Sequence, residues 1–131
     1  MERTSTNGDK TIVLVEDDDV VRRLVSRVLE SAGYRVVGAS SGEEGFELLT
    51  RTEEAELLLT DVTLPGDLNG LELGRRALEA RAELKLVCMS GYGEEDMAAE
   101  LLRMAGGAAF IGKPFSPGEL VETVHNLLDA A

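Results

Sequence analysis

The stretch TIVLVEDDD, residues 11–19, decides the fold class, because a nearly continuous apolar run ends in a row of acids. A strand buried on both faces reads as such a run, which is typical of a parallel sheet covered by helices. The chain holds five of these runs: Thr11–Val15, Arg35–Ala39, Glu56–Thr60, Lys85–Met89 and Ala108–Ile111. They predict five strands of one parallel sheet.

Amphipathic stretches follow the runs, with apolar residues at the three- and four-residue steps of helices. Their starts and stops carry recognised signals. In chain order the signals are a stop at Gly33, a capping box from Ser41 to Glu44, a cap at Asn69 and a capping box from Ser116 to Glu119. A further helix is predicted over about residues 94–104, before the last of these signals. Five strand–helix units with short connections predict a doubly wound α/β fold with right-handed crossovers.

Length and composition bound the class of protein. The chain has 131 residues, 44% of them hydrophobic and 29% charged, which suits one globular domain. Its formal net charge of -12 argues against direct nucleic-acid binding, which needs a basic surface. The charge serves either solubility or the choice of partner. No apolar stretch approaches the roughly 20 residues of a membrane span.

The first residues and the one cysteine predict where the protein works. Residues 1–10 are polar, so we expect a flexible tail rather than a secretion signal, followed by the domain over residues 11–131. Cys88 lies in an apolar run, which predicts a buried thiol and excludes an internal disulfide. A reducing, cytoplasmic location is therefore expected.

Reactive side chains stand where the predicted strands end, and ligands of open parallel sheets bind at that edge. Glu16 and Asp17 follow the first strand, Asp61 the third, Ser90 the fourth and Lys113 the fifth. Each alone has an ordinary explanation, such as a turn residue or a solvated helix N-terminus. Complementary groups at four strand ends together predict one shared site.

The acids at this edge predict a divalent cation, because carboxylates from two strand ends would repel one another. Mg2+ prefers one or two carboxylates, waters and a phosphate oxygen. We predict Asp17 and Asp61 as direct ligands, Glu16 as a ligand through water, and the backbone carbonyl of Thr63 as a further ligand.

Lys113 and Ser90 would supply what the cation cannot. A lysine ammonium is a point charge suited to a phosphoryl oxygen or to a carboxylate, and a serine hydroxyl can donate a hydrogen bond. Phosphoryl transfer requires mainly positioning and neutralisation of charge, and aspartate is an established nucleophile for it. The residues therefore predict Asp61 as a phosphoacceptor.

With these residues in place, the chain resembles the receiver domain of bacterial response regulators in two-component systems, over about residues 10–129. The matching signatures are VLVEDD, LLLTDVTLPGDLNGLEL, MSGY and FIGKPFS, at residues 13–18, 57–73, 89–92 and 110–116. The expected fold is then flavodoxin-like, a five-stranded parallel sheet of order 2-1-3-4-5 with five helices.

The resemblance implies a role for each site residue. Asp61 would be phosphorylated by a histidine kinase or a histidine-phosphotransfer protein, and Lys113 would pair with the phosphate. The Ser90 hydroxyl would turn toward the phosphoryl group and Phe110 would move with it as the aromatic switch. The bond before Pro114 is often cis in the family. Glu16 and Asp17 would be the acidic pair that binds Mg2+. Such a protein is a signalling phosphoacceptor that promotes its own phosphorylation and dephosphorylation, rather than an enzyme.

Several departures from the family pattern bear on phosphate lifetime and origin. Glu16 replaces the commoner aspartate, Gly91 stands where alanine is usual, and Thr63 occupies a position that tunes dephosphorylation. The loop over residues 65–70 is one residue longer than in many stand-alone receivers. With the SGY motif, it resembles receivers attached to hybrid histidine kinases, so both a stand-alone protein and a fragment of a kinase stay open.

Charge placement suggests the partner surfaces. Arg22, Arg23 and Arg27 lie on the first predicted helix near the site, where a helical-bundle histidine donor would dock beside Phe115 and Pro117. A solvated helix face is the other explanation of these arginines. The acidic predicted fourth helix disfavours a charge-paired dimer through that face. The single histidine, His125, is expected at the surface and not as a phosphodonor.

Three alternatives compete with a phosphoacceptor. A pseudo-receiver that only binds a partner would ordinarily lack an acid or the lysine, and all are present. A flavodoxin-like cofactor binder needs a glycine- and hydroxyl-rich first loop, where this chain has EDDD. A metal-dependent phosphatase would want a second acid two residues past Asp61, where Thr63 stands.

Overall fold

The computed structural model describes residues 10–91, 99, 103 and 108–129, and every structural statement below concerns these residues. The elements in chain order are β1 Thr11–Val15, α1 Asp19–Ser31, β2 Arg35–Ala39, α2 Gly42–Arg51, β3 Ala55–Asp61, α3 Gly70–Ala80, β4 Lys85–Ser90, β5 Ala108–Gly112 and α4 Pro117–Leu128. The helix predicted over about residues 94–104 lies outside the described residues except for Ala99 and Arg103, which are both helical.

All five strands pair in parallel in one sheet of order β2-β1-β3-β4-β5, as predicted. The last three strands run one residue further than the apolar runs indicated, to Asp61, Ser90 and Gly112. Two of the expected site residues are therefore the final residues of strands instead of loop residues. Their backbones are held by the sheet, which fixes where the side chains begin.

Alternating side chains of the strands enter two cores, one on each face of the sheet. In β1, Val13 and Val15 belong to one apolar cluster, and Ile12 and Leu14 belong to the other. The first cluster is completed by α2 and α3 and the second by α1 and α4. Burial on both faces explains why the strand sequences are continuously apolar.

The helix starts follow the predicted caps, with one correction. Ser116 and Glu119 form a reciprocal capping box at α4. At α2, the Ser41 hydroxyl accepts from the Glu44 N–H, but the Glu44 carboxylate accepts from the N–H of Ser40 instead of Ser41. The reciprocal capping box predicted there is therefore incomplete, because the Glu44 carboxylate bonds to the residue before the cap, next to the end of β2.

The described ends of the chain meet at the edge of the sheet opposite the strand carboxyl ends. The Lys10 ammonium donates to the Leu128 carbonyl at 2.7 Å and to Asp129 Oδ1 at 3.1 Å. The Lys10 carbonyl accepts from the N–H of Arg35. Lys10, which the sequence assigned to the tail, thus joins β2 to the end of α4, and residues 1–9 lie outside the described residues.

Two expectations from composition meet the structure here. Cys88 is buried in the core, and burial raises the pKa of its thiol to about 12, so the thiol stays neutral. Within the described part of the chain, no helix has the length and apolar character needed to cross a membrane.

Candidate phosphoryl-acceptor site

Three carboxylates meet at the carboxyl ends of β1 and β3. Each of Glu16, Asp17 and Asp61 offers an oxygen within 4.8 Å of the others. Glu16 is 1% exposed and Asp61 is 7% exposed, whereas Asp17 is open to solvent. Two buried acids beside an exposed one match the oxygen-rich, partly open arrangement that Mg2+ prefers. The chain thus brings together all three acids predicted as ligands.

Lys113 reaches both buried acids from the end of β5. Its Nζ lies 3.0 Å from Glu16 Oε1 and 2.8 Å from Asp61 Oδ2. Its backbone N–H donates to the Ser90 carbonyl at 2.7 Å, which anchors the residue beside β4. The following bond, Lys113-Pro114, is cis. Among the described residues, three acids thus lie beside one ammonium at this point, and they give the site an excess of negative charge.

Burial and charge act against each other in this group of side chains. Burial raises the pKa of Glu16, although the N–H of Asp18 and the ammonium of Lys113 lower it in part. Burial lowers the pKa of Lys113, but hydrogen bonds and charges from Asp61 and Glu16 outweigh it and leave the pKa raised. The lysine therefore stays cationic, whereas burial disfavours the charged form of Glu16. An added cation would favour that charged form.

The backbone around Asp61 is held on three sides. The Thr60 hydroxyl donates to the Asp61 carbonyl at 3.0 Å. The N–H of Val62 donates to the Met89 carbonyl at 2.8 Å, and the Val62 carbonyl accepts from the N–H of Gly70 at 3.0 Å. The start of α3 is thereby joined to the end of β3. Thr63 lies two residues beyond Asp61 and is exposed, and its carbonyl as a metal ligand stays a prediction.

Ser90 and Phe110 occupy neighbouring strands beside the acids. Ser90 is fully buried, and its hydroxyl has no hydrogen-bond partner among the described residues. A buried polar group without a partner costs free energy, so it is a place to look for a missing ligand. Phe110 is half-buried on β5 against the core that contains Cys88. Their roles in a switch stay predictions.

The acidic loop between β1 and α1 shows two features that the sequence did not reveal. Asp18 is the cap of α1, since its carboxylate accepts from the N–H groups of Val20 and Val21. Arg22 donates from one guanidinium nitrogen to the Glu16 carbonyl at 2.8 Å and from the other to Asp19 at 2.5 Å. The only available signal was the three-residue spacing of Asp19 and Arg22, which says nothing of a backbone carbonyl.

An apolar groove of about 620 Å3 borders the site between α1 and the segment that leads into α4. Leu24, Pro114 and Phe115 line it, and Lys113 lies at its rim. Val20 and Leu24 are 62% and 57% exposed, although both are apolar and follow the three- and four-residue spacing of this helix. Arg23 and Arg27 are exposed on the same helix. Part of the apolar face of α1 therefore extends beyond the core and is exposed.

His125 lies apart from this edge of the sheet. It is in the last turn of α4, and its Nδ1 lies 2.5 Å from Asp129 Oδ2. The half-exposed side chain agrees with the expected surface position.

The fold and the site define a class: doubly wound α/β domains with an acidic cluster and a lysine at the strand ends. Within that class, residues 12–125 match the family model for the response regulator receiver domain, and the chain belongs to this family. Its function is that of a phosphoacceptor in two-component signalling, in which receiver domains pair with histidine kinases.

Individual relatives agree. Over 93% of this chain and 99% of the relative, the sequence is 35% identical to the response regulator receiver protein CpdR of Brucella abortus. It is also 35% identical to the sensor kinase CckA of the same organism, over 96% of this chain but only 13% of the kinase's length. A solved CheY-like receiver domain protein from Methanospirillum hungatei superposes with a TM-score of 0.81 at 32% identity, covering 92% of this chain and 94% of the other.

Proposed function

We propose that Asp61 is the phosphoacceptor and that it takes the phosphoryl group from a phosphohistidine with the help of Mg2+. The observation that carries this is the position of the Asp61 carboxylate at the end of β3. It contacts the Lys113 ammonium at 2.8 Å and lies within 4.8 Å of oxygens of Glu16 and Asp17. Nucleophile, counter-charge and acidic ligands therefore converge at one strand end.

In this reaction an Asp61 oxygen forms a bond to phosphorus while the bond from phosphorus to the donor imidazole breaks, and the imidazole leaves with the electron pair. Asp17 and Asp61 would hold Mg2+ directly, Glu16 through water, and Thr63 through its carbonyl. The bound cation would neutralise charge on the phosphoryl oxygens. Lys113 would pair with one of these oxygens, since its amine already lies beside Asp61. The domain would thus promote its own phosphorylation and dephosphorylation.

The response to phosphorylation would begin at Ser90. Its buried hydroxyl has no partner in the described residues, so a phosphoryl oxygen nearby would offer the acceptor that it lacks. Phe110 lies on the adjacent strand and would change position with it. We propose that the signal leaves through the surface that includes β5 and α4, or by onward phosphotransfer. The protein would act in the cytoplasm through residues 11–131, without contacting nucleic acid, in keeping with its net charge of -12.

Mass spectrometry of Asp61→Asn tests this proposal. The parent, incubated with Mg2+ and acetyl phosphate, is expected to gain the mass of one phosphoryl group that base removes. Asp61→Asn should gain none, because an amide is a far weaker nucleophile than a carboxylate. Asp67→Asn is the matched control, since Asp67 is an exposed acid on the loop that follows Asp61 and its loss should leave uptake unchanged. Equal uptake by the parent and Asp61→Asn would refute Asp61 as the acceptor.

We propose the groove beside α1 as the docking place of the histidine donor. Leu24 is a large apolar side chain left exposed at its edge, and Lys113 connects the groove to the acids. A helical donor with an apolar face would cover Leu24 while bringing its phosphohistidine to the strand ends. Exposed apolar residues of this kind commonly act as interface anchors.

Leu24→Ser should separate docking from chemistry. We expect phosphotransfer from a histidine kinase that phosphorylates the parent to slow about tenfold, the cost of a moderate interface anchor. Uptake from acetyl phosphate should stay the same, because that small donor needs no docking surface. Leu71→Ser, on α3 away from the groove, is the control for the general effect of replacing a helical leucine by serine, and it should slow neither reaction selectively. A parallel loss with both donors would contradict docking at Leu24.

A further inference from the structure

We infer that Arg22 is a positioning residue for the acidic loop, and that it sets the affinity of the site for Mg2+ without touching the cation. The inference rests on the proposed function, because it takes Glu16 and Asp17 as the residues that hold the cation. It assigns a role to a side chain that the sequence left between partner docking and a solvated helix face.

The key contact is made to the peptide group that joins the two acids. One guanidinium nitrogen of Arg22 donates to the Glu16 carbonyl at 2.8 Å, and this carbonyl belongs to the Glu16–Asp17 peptide. Rotation of that peptide would carry the Asp17 side chain with it. Asp17 is exposed, so its placement depends on the backbone more than on packing. Arg22 therefore acts on the orientation of the predicted direct ligand.

The other contacts of the loop show what Arg22 adds. The Glu16 N–H donates to the Ala39 carbonyl at 3.0 Å, and the Asp18 N–H donates to the Glu16 carboxylate at 3.1 Å. The first contact ties the loop to β2, and the second links two residues within the loop. Arg22 holds the Glu16 carbonyl from the helix side and ties it to Asp19 through its second nitrogen. A planar guanidinium can make both bonds at once, which an ammonium cannot match in geometry.

The arginine side chain is itself held in place by the edge strand. A Cβ at Gly38 would lie 3.5 Å from Cδ of Arg22 and 3.7 Å from its Cγ, so the arginine stem runs across the glycine in β2. The stem is packed, which lowers the entropy cost of keeping the head group on the Glu16 carbonyl. Arg23, next in the helix, is exposed. The two neighbouring arginines thus carry the same charge, but only Arg22 packs on β2 and bonds to the Glu16 carbonyl.

Charge and positioning predict opposite signs for the loss of Arg22. A cation near the site repels Mg2+, so removing its charge alone should tighten binding slightly. Removing a group that orients a ligand should weaken binding, commonly by about tenfold or more. Because the Arg22 contact is to the ligand-bearing peptide itself, we expect weakening to prevail at this position and not at Arg23.

Isothermal titration with Mg2+ alone, without any phosphodonor, tests the inference. We expect Arg22→Met to bind Mg2+ about tenfold more weakly than the parent. Arg23→Met should bind as tightly as the parent or slightly tighter, and no donor is present to involve the docking face. Arg22→Lys, which keeps charge and stem but loses the fork, should fall between parent and Arg22→Met. Each Mg2+ affinity is measured at a temperature at which circular dichroism shows the variant to be folded. Under that condition a lower unfolding free energy alone would not change the Mg2+ affinity.

The outcomes separate this inference from the proposed function. If Asp17→Asn loses Mg2+ affinity while Arg22→Met and Arg23→Met bind alike, the metal site stands and the role of Arg22 is refuted. If the parent binds no Mg2+, or Asp17→Asn binds as well as the parent, the proposed metal site and the inference are both overturned. Weak binding by Arg22→Met alone, partly restored in Arg22→Lys, supports the positioning role.

Discussion

Replacing Lys113 with methionine is expected to destabilise the protein strongly in the absence of Mg2+. Breaking a buried ion pair costs about 3–5 kcal/mol, but the Lys113 side chain is 29% exposed, so we expect about 2 kcal/mol of unfolding free energy. The reason is that Glu16 and Asp61, both buried, lose the ammonium that bonds to each of them. Phosphoryl uptake should also slow about a hundredfold, as when one charge-stabilising donor is removed.

The test that identifies the cause is the response to Mg2+. A cation bound by the same acids should replace part of the missing charge, so millimolar Mg2+ should raise the melting temperature of Lys113→Met more than that of the parent. Lys10→Met is the control: the Lys10 side chain is about as exposed at 24%, and its ammonium also makes two hydrogen bonds. Its partners, the Asp129 carboxylate and the Leu128 carbonyl, lie at the opposite ends of the strands, away from the acidic site. The loss of stability in Lys10→Met should not respond to Mg2+. Equal Mg2+ responses in Lys113→Met and the parent would contradict the shared site.

The sheet could be predicted from sequence because burial on both faces leaves an unmistakable continuous apolar run. The rule that ligands bind beyond the carboxyl ends of parallel strands then predicts that Glu16, Asp61 and Lys113 lie together. What the runs could not show was where each strand stops, because Asp61 and Ser90 are polar yet still pair in the sheet. Backbone pairing is decided by neighbours in space, and polarity along the chain does not report it.

Two kinds of feature could not be predicted: a hydrogen bond from a side chain to a backbone group of another element, and an apolar side chain that no other element covers. Arg22 bonds to a carbonyl, and every residue has one, so the sequence marks no partner for it. Leu24 fits the helical period, but the rest of the domain covers only part of the apolar face of α1. The period of the apolar residues does not report how much of that face is covered. Both depend on how elements pack together.

Gly70 presents the same difficulty, since it reads as an ordinary helix start after the Asn69 cap. We expect Gly70→Ala to lower the unfolding free energy by about 3 kcal/mol, the upper range for forced overpacking. A Cβ at this position would lie 1.8 Å from the Asp61 carbonyl oxygen and 2.9 Å from the Val62 carbonyl oxygen. These atoms are backbone, so no side-chain rotation can relieve the overlap. Either α3 must move away or the peptide that carries the acceptor must turn.

Gly118→Ala provides the matched control, because Gly118 also lies in the first turn of a helix. There the nearest atom to an added Cβ is the Ser116 hydroxyl oxygen at 3.9 Å, an ordinary contact. With space available, alanine should stabilise α4 by about 0.5 kcal/mol through its better helix propensity. Chemical denaturation of the two variants and the parent measures this difference. A similar stability for both variants would show that the close approach of Gly70 to Asp61 is not a real constraint.

Phosphorylation of Gly70→Ala then distinguishes the two ways in which the clash can be relieved. The Asp61 carbonyl is already fixed by the Thr60 hydroxyl, and its strand pairs with β1 and β4 on its two sides. Gly70, by contrast, is the first residue of α3 and lies outside the sheet. The strand should therefore resist and the helix should yield. We expect Gly70→Ala, at a temperature where it is folded, to lose stability but to take up phosphate from acetyl phosphate within about threefold of the parent rate, less than 1 kcal/mol in barrier. A much larger loss of rate would mean that the acceptor peptide turned instead, and that the glycine positions Asp61 directly.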